Sequence, residues 1–244
     1  MISLLHGTAR PGRWQEIANQ WLQNCDNPLN VEYVVVYEPS KFPYGMRPGF
    51  GATGFPNEQA LANYGRPCVV DAYNLAADVA RGDLMFYVAD DFWSMPHWDT
   101  DILSHTTKHP EKDALVYWVN TGEGADKINH PLWTRAYQER QGYYLWPEYQ
   151  DLFSDTEFHD VAERDGCIVD LRSDLFFTHA QAGTASAKYA HDEVNHRMLS
   201  HWTPQEALYK RRKATGFPQF MTDMKPLGEQ PNHVYIPKSR RIYG

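Results

Sequence analysis

Apolar positions along the chain follow two rhythms. The runs "ISLLH" (2–6) and the β-branched "VEYVVVYE" (31–38) read as buried strands. Between them, Trp14, Ile17, Ala18, Trp21 and Leu22 recur at helical spacing across "RWQEIANQWLQN" (13–24), the apolar face of an amphipathic helix. A strand–helix–strand unit of this kind implies parallel pairing with a right-handed crossover. The pattern then breaks, and the Gly- and Pro-rich residues 39–67 are expected to form one long irregular loop. It resumes with a helix over 68–82, stopped by Gly82, and a third strand over 83–90.

The second half continues the alternation. A short helix follows Pro96, "ALVYWVN" (114–120) reads as a fourth strand, and 120–131 as a loop. Residues 132–142 read as a helix ending in Gly. Over 154–166 a further helix is expected, with Ser154 and Glu157 forming a capping box and Gly166 closing it. Short strands at 167–171 and 175–179 precede helices over 186–201 and 204–214, and an irregular Pro-rich tail begins at 216. Strands alternating with helices predict an α/β fold: a single Rossmann-like open mixed sheet flanked by helices, one domain over 1–244. Such sheets bind ligands beyond the carboxyl ends of their strands. The third strand ends there on Asp90 and Asp91.

Composition narrows the class. Hydrophobic residues make up 42% of the 244, enough for a sizeable core, which excludes global disorder. The net charge of −8 argues against broad electrostatic binding of nucleic acid. Basic clusters at 210–213 and 238–241 read first as solvated surface. Cys25, Cys68 and Cys167 are scattered and form no CxxC pair, which argues against a disulfide framework or zinc ribbon. There is no apolar run near the ~20 residues of a membrane span, and no signal-peptide pattern. The expectation is a soluble, cytoplasmic protein with no membrane span.

Two adjacent carboxylates repel, and burying them is costly unless a cation offsets the charge. Asp90 and Asp91 are therefore either a solvated turn or a metal site. Mn²⁺ and Mg²⁺ take oxygen ligands and are commonly shared with substrate phosphates. The surrounding order weighs on this choice. "ISLLHGTARP", then "VEYVVVYE", then "GRPCVVDAYNLAADVARGDLMFYVADDFWSMPHWDTDIL" resembles the nucleotide-binding half of family-2-like glycosyltransferases of the GT-A fold. "GYYLWPEYQDLFSDTEFHDVAERDG", followed by "LFFTHAQ", resembles their acceptor half. The resemblance covers roughly three quarters of the chain. It implies a nucleotide-sugar-binding half at 1–105, an acceptor or catalytic half at 106–215 and a tail at 216–244.

The resemblance also implies roles. Thr8, Ala9 and Arg10 would lie against the nucleotide, and Glu38 would read the base. Arg66 and Asn74 would sit near the nucleotide and its phosphates. Asp90 would face the ribose or metal, and Asp91 and His179 would hold a divalent metal (Mn²⁺ or Mg²⁺) bridging the diphosphate. Asp155 would be the general base. Each residue has a plainer alternative: turn, strand end, helix residue or satisfied histidine, and for Asp155 a charge complementing the helix dipole. Within the first turn of the 154–166 helix, the capping box would occupy Glu157 and leave Asp155 to face the cleft.

The sequence departs from the family's pattern. Phe92 replaces the usual third acid of the metal motif, Ser154-Asp155 replaces Glu-Asp, and the "Gln-x-x-Arg-Trp" motif of processive synthases is absent. The expected activity is transfer of a single sugar from a nucleotide sugar, most simply a UDP-sugar, to a hydroxyl of a saccharide or lipid-linked saccharide, with inversion. Hydroxymethylated bases in DNA are the minority acceptor. A nucleotidyltransferase or a non-catalytic nucleotide or sugar binder are the readings from other classes.

Overall fold

The computed structural model describes residues 1–49, 51–109, 113–180 and 190–218. In chain order its first half comprises β1 (Ile2–Thr8), α1 (Trp14–Gln23), β2 (Val31–Tyr37), β3 (Asn57–Ala62), α2 (Val69–Val79), β4 (Leu84–Val88), β5 (Phe92–Trp93) and α3 (Trp98–Thr106). The second half comprises β6 (Val116–Trp118), β7 (Leu132–Thr134), α4 (Arg135–Gln141), α5 (Ser154–Arg164), β8 (Ile168–Asp170), β9 (Thr178–His179), α6 (Glu193–Ser200) and α7 (Trp202–Ala214). Seven strands form one sheet in the order β3-β2-β1-β4-β7-β6-β8, and β5 pairs with β9 apart from it. Within the sheet β7 runs antiparallel to both neighbours and the other pairings are parallel. The carboxyl ends of β1, β2, β4, β6 and β8 therefore share one edge. The expected open mixed sheet is present.

Period-two alternation sends side chains to two cores. From β2, Val31, Tyr33 and Val35 join Trp14, Trp21, Phe86 and Trp98 on the α1/α3 face. Val34 and Val36 join Val70, Tyr73, Ala76, Trp133 and Phe158 on the α2/α5 face. A strand buried on both sides explains why β2 reads as a continuous β-branched run.

The structure corrects several expectations. The stretch 39–67 is not one irregular loop, because β3 forms within it and pairs with β2. "NEQALA" lacks β-branched residues, so its strand character comes from its place on the sheet edge. Its side chains secure it: Gln59 donates to buried Glu32 (2.7 Å), and Glu58 accepts from the Ala52 (3.2 Å) and Thr53 (3.0 Å) amides. Residues 132–134 are β7 rather than the first turn of a helix, and Met85 pairs with Trp133 across the ladder. Helix α2 is capped at Ala80, not Gly82. Gly82 serves a different need, since a Cβ there would stand 2.7 Å from the Ser3 backbone nitrogen. Gly166, at φ +63°, does end α5 as expected.

The capping box is also absent. The N-cap of α5 is Phe153, in the left-handed region (φ 65°), and its side chain accepts no hydrogen bond. Ser154 Oγ instead donates to the Asp151 carbonyl (2.7 Å). Most of the expected tail, the 238–241 cluster and the start of the expected 186–201 helix lie outside the described residues.

The 210–213 cluster is solvated surface only in part: Lys210 and Lys213 are exposed, but Arg212 is buried. Lys210 pairs with Glu206 (2.9 Å), Arg211 with Glu148 (3.2 Å) and Lys213 with Asp160 (2.9 Å). Arg212 is fully buried against Glu157. Arg211, Arg212 and Lys213 thus tie α7 to the body, while the Lys210 pair stays within the helix.

Candidate functional site

A cleft of about 280 Å³ opens at the carboxyl ends of β1, β2 and β4. Gly7, Thr8, Ala9 and Arg10 line one wall, Glu38 and Asn63 the next, and Asp90 and Asp91 the floor. Asp155 closes the far side with Tyr144 and Leu145, and His179 and His130 stand beside Asp91. Thr8, Ala9, Arg10, Glu38, Asp90, Asp91, Asp155 and His179 are thus brought together from remote parts of the chain.

Arg66 and Asn74 do not face this cleft. Arg66 Nε lies 3.2 Å from Asp71 Oδ1, and its guanidinium also donates to the Pro147 carbonyl. Asn74 is fully buried; its amide donates to the Leu145 carbonyl (2.8 Å) and its oxygen accepts from the Leu145 amide (2.8 Å). The polar residue inside α2 therefore has a purpose, but it is to pin the 144–145 wall rather than to touch a phosphate.

The two adjacent aspartates are handled separately. Asp90 is almost fully buried; its Oδ1 meets His6 Nε2 (3.0 Å) and its Oδ2 accepts from Arg10 (3.3 Å). His6 is in turn fixed by the Tyr33 hydroxyl (2.6 Å). The internal partners of Asp90 take up both its oxygens. Asp91 points its charge elsewhere. Pairing of Phe92 with His179 in the β5/β9 ribbon brings His179 Nε2 to 3.4 Å from Asp91 Oδ1. Behind the ring, Glu123 Oε1 lies 3.0 Å from His179 Nδ1, at ion-pair distance but without the alignment of a hydrogen bond.

Electrostatics follow from this geometry. Burial pushes the His179 pKa down, but Asp91 and Glu123 outweigh it and raise it to about 9. Burial pushes Asp91 up, and His179 more than offsets this, so its carboxyl lies below the usual range. His130, stacked on Phe92 at 3.8 Å and edge-on to His179, is held well below its ordinary value by burial and by the His179 charge. Asp155 is half-buried, and burial raises its pKa against the opposing Thr156 amide, which donates to Oδ1 at 2.8 Å.

These donors fit a divalent cation. An ionised carboxylate and a histidine meet at the cleft, a bound cation would displace the proton that His179 otherwise holds between the two acids, and the carboxylate behind the ring is the usual partner of a metal-binding histidine. Asp91 and His179 would hold the ion, with Glu123 orienting the ring. A second cluster, His159, Asp160 and Glu163 on α5, also brings three donor atoms within 4.8 Å. It is a poorer site because Lys127 (2.7 Å) and Lys213 (2.9 Å) already neutralise Asp160.

Sequence reasoning missed Glu123, His130 and His6. For His6 a signal existed, a polar residue inside an apolar strand. Glu123 and His130 sit in a polar loop, where nothing in the spacing sets them apart. Asp192 accepts from Arg10 Nε (2.7 Å) and caps α6 through Asn195. Arg197 of α6 likewise donates to Glu38 (2.9 Å).

Burial pushes the Asp192 carboxyl up, but Arg10, the Asn195 amide and Arg13 outweigh it and bring it to about 2. A depressed carboxyl contributes stability above its unfolded value, near 3.8, and loses it as pH falls toward 2. Urea midpoints measured across that window are expected to fall less steeply in Asp192→Asn than in the parent. An identical slope would show that the Arg10–Asp192 bridge contributes nothing.

The mostly parallel seven-stranded sheet flanked by helices has a fold similar to that of GT-A glycosyltransferases. No protein-family model and no curated protein matches the chain. Solved structures do. One is TarS of S. aureus in complex with UDP, at TM-score 0.59 and 15% identity over 72% of this chain and 59% of that one. TarS with UDP-GlcNAc matches at 0.57 and 15%, over 81% and 64%. The mannosyltransferase PcManGT of Pyrobaculum calidifontis with GDP-Man and Mn²⁺ matches at 0.53 and 13%, over 76% and 58%. The chain thus spans under two thirds of the length of each. Among the described residues no helix is long and apolar enough to cross a membrane.

Proposed function

We propose that this chain is a metal-dependent glycosyltransferase that moves one sugar from a nucleotide sugar to a hydroxyl of a saccharide or lipid-linked saccharide. The carrying observation is the convergence of Asp91, His179 and Asp155 on one cleft walled by Thr8, Ala9, Arg10 and Glu38. In this reading residues 1–105 supply the donor half and residues 106–215 the acceptor half. The donor is a UDP-sugar, lying along the β1 end with Glu38 at the base. Asp91 and His179 would hold Mn²⁺ or Mg²⁺, which would supply Lewis-acid charge against the departing diphosphate.

Asp155 takes the proton from the acceptor hydroxyl as its oxygen attacks the anomeric carbon. The bond to the nucleoside diphosphate breaks as the new glycosidic bond forms. A carboxyl whose pKa is raised by burial is better matched to this task than an exposed one. One displacement with one base inverts the anomeric centre. The competing nucleic-acid acceptor draws less support, because the 210–213 cations are each paired with an acid.

The test is a panel of nucleotide sugars with and without Mn²⁺, scored by calorimetry for binding and by product release for slow hydrolysis. Mn²⁺-dependent binding of at least one UDP-sugar is expected. Silence toward every donor in both conditions overturns the proposal. Within it, Glu123→Gln is expected to weaken Mn²⁺ binding about tenfold by loosening the His179 ring. Unchanged Mn²⁺ affinity would remove Glu123 from the scheme.

A further inference from the structure

A second cavity, of about 360 Å³, lies at the ends of β6 and β8 and is lined by Trp118, Asn120, Thr121, Asp170, Arg172 and Ser173. Trp118 and Asp170 are register partners across those two parallel strands. Arg172, two residues on, stacks its guanidinium on the Trp118 indole (3.7 Å). It also grips Asp170 through two parallel bonds, Nε to Oδ1 (2.9 Å) and Nη2 to Oδ2 (2.6 Å). His159 meets the indole edge-on, with ring centroids 5.0 Å apart. The guanidinium thus lies on the indole with its N–H groups on the carboxylate, and both groups remain partly exposed, at 42% and 51%.

The chemistry of this pocket selects its ligand. A paired guanidinium and carboxylate carry no net charge, so the pocket does not favour phosphate. Together they still present N–H donors and carboxylate acceptors in one plane beside an aromatic ring. Adjacent hydroxyls, which both donate and accept, match that array. The position is equally informative. The cavity opens on the same sheet edge as the main cleft, and β6 is two strands from β4, roughly 10 Å. The intervening segment runs from Asn120 through Thr121, whose carbonyl accepts from the His179 amide (3.0 Å), to Glu123 behind the His179 ring.

We infer that this cavity is a subsite for a neutral saccharide unit of the acceptor, remote from the hydroxyl that reacts. The inference rests on the transferase reading above and deepens it: the acceptor is an oligosaccharide rather than a single sugar. Arg172 and Asp170 hydrogen-bond the remote unit, and Trp118 keeps the guanidinium flat.

The test uses the whole chain and neutral oligosaccharides of one to five units from several linkage series, immobilised for a binding screen and then titrated in solution by ligand-observed NMR. Affinity is expected to rise at least tenfold from one unit to three or four. In Arg172→Ala, and in the charge-conserving Arg172→Lys, that length dependence is expected to vanish while nucleotide-sugar binding stays within twofold. Circular dichroism checks that both variants fold. No binding of any oligosaccharide by the parent, or unchanged length dependence in both variants, overturns the inference. Length-dependent binding without any donor binding would instead keep the subsite and remove the transferase reading.

Discussion

Replacing Asp155 by Asn is expected to slow sugar transfer about a thousandfold, roughly 4 kcal/mol of transition-state stabilisation, while nucleotide-sugar binding changes less than twofold. Three acids near the far wall compete for the role of base, and their partners separate them. Both oxygens of Asp151 are committed: Oδ1 accepts from the Val69 amide (3.2 Å) and Oδ2 meets His201 Nδ1 (2.8 Å). Glu157 is buried under Arg212 and the Tyr149 hydroxyl (2.9 Å). Asp155 lines the cleft and uses Oδ1 for Thr156, while Oδ2 makes no hydrogen bond among the described residues. Asn is close in shape and cannot take the proton, so the loss should fall on the chemical step. Single-turnover transfer with saturating donor, set beside donor affinity, separates the two. Full transfer in Asp155→Asn would show that another group is the base.

The reasoning that singles out Asp155 changes between sequence and structure. The sequence sets Glu157 aside through a capping box, and that box does not form. Glu157 is set aside all the same, because a buried arginine from α7 claims it. That contact joins residues 55 apart and leaves no trace in local spacing. The strands β1, β2 and β4 are legible because burial on both faces writes itself as an apolar run. Strand β3 is not, since an edge strand held by Gln59 and Glu58 needs no such run. Strand β7 is only three residues long and continues directly into α4, so helical composition hides it.

The site divides along the same line. Asp90, Asp91 and Asp155 are visible because each stands at the end of a patterned element. Glu123 and His130 come from a loop whose only regularity is its position beside His179. Asn74 is visible as an anomaly inside a helix, yet the anomaly serves the backbone of Leu145. Recognising an odd residue locates a constraint without saying which constraint it is.

Arg212 carries the largest expected effect on stability. It is fully buried, bonds Glu157 through Nε (2.9 and 2.8 Å) and Nη2 (2.6 Å), and stacks on Trp146 at 3.4 Å. Removing one partner of a buried pair leaves the other charge uncompensated, at about 3–5 kcal/mol. Arg212→Ala is therefore expected to lower the unfolding free energy by about that amount in urea titrations. Joining Arg212→Met to Glu157→Gln removes both charges, keeps an acceptor for Tyr149 and fills most of the volume, so at least half the loss should return. The pH dependence has a definite sign. Burial already holds the Glu157 carboxyl above its ordinary value, and Arg212 opposes that rise. Without Arg212 the folded-state pKa climbs further, and a raised carboxyl destabilises the fold increasingly as pH rises through it. The Arg212→Ala deficit should therefore narrow between pH 8 and pH 5, where Glu157 takes up a proton. A deficit that stays constant over that range, or a double variant no more stable than Arg212→Ala, would mean that α7 is held by packing on Trp146 rather than by the buried pair.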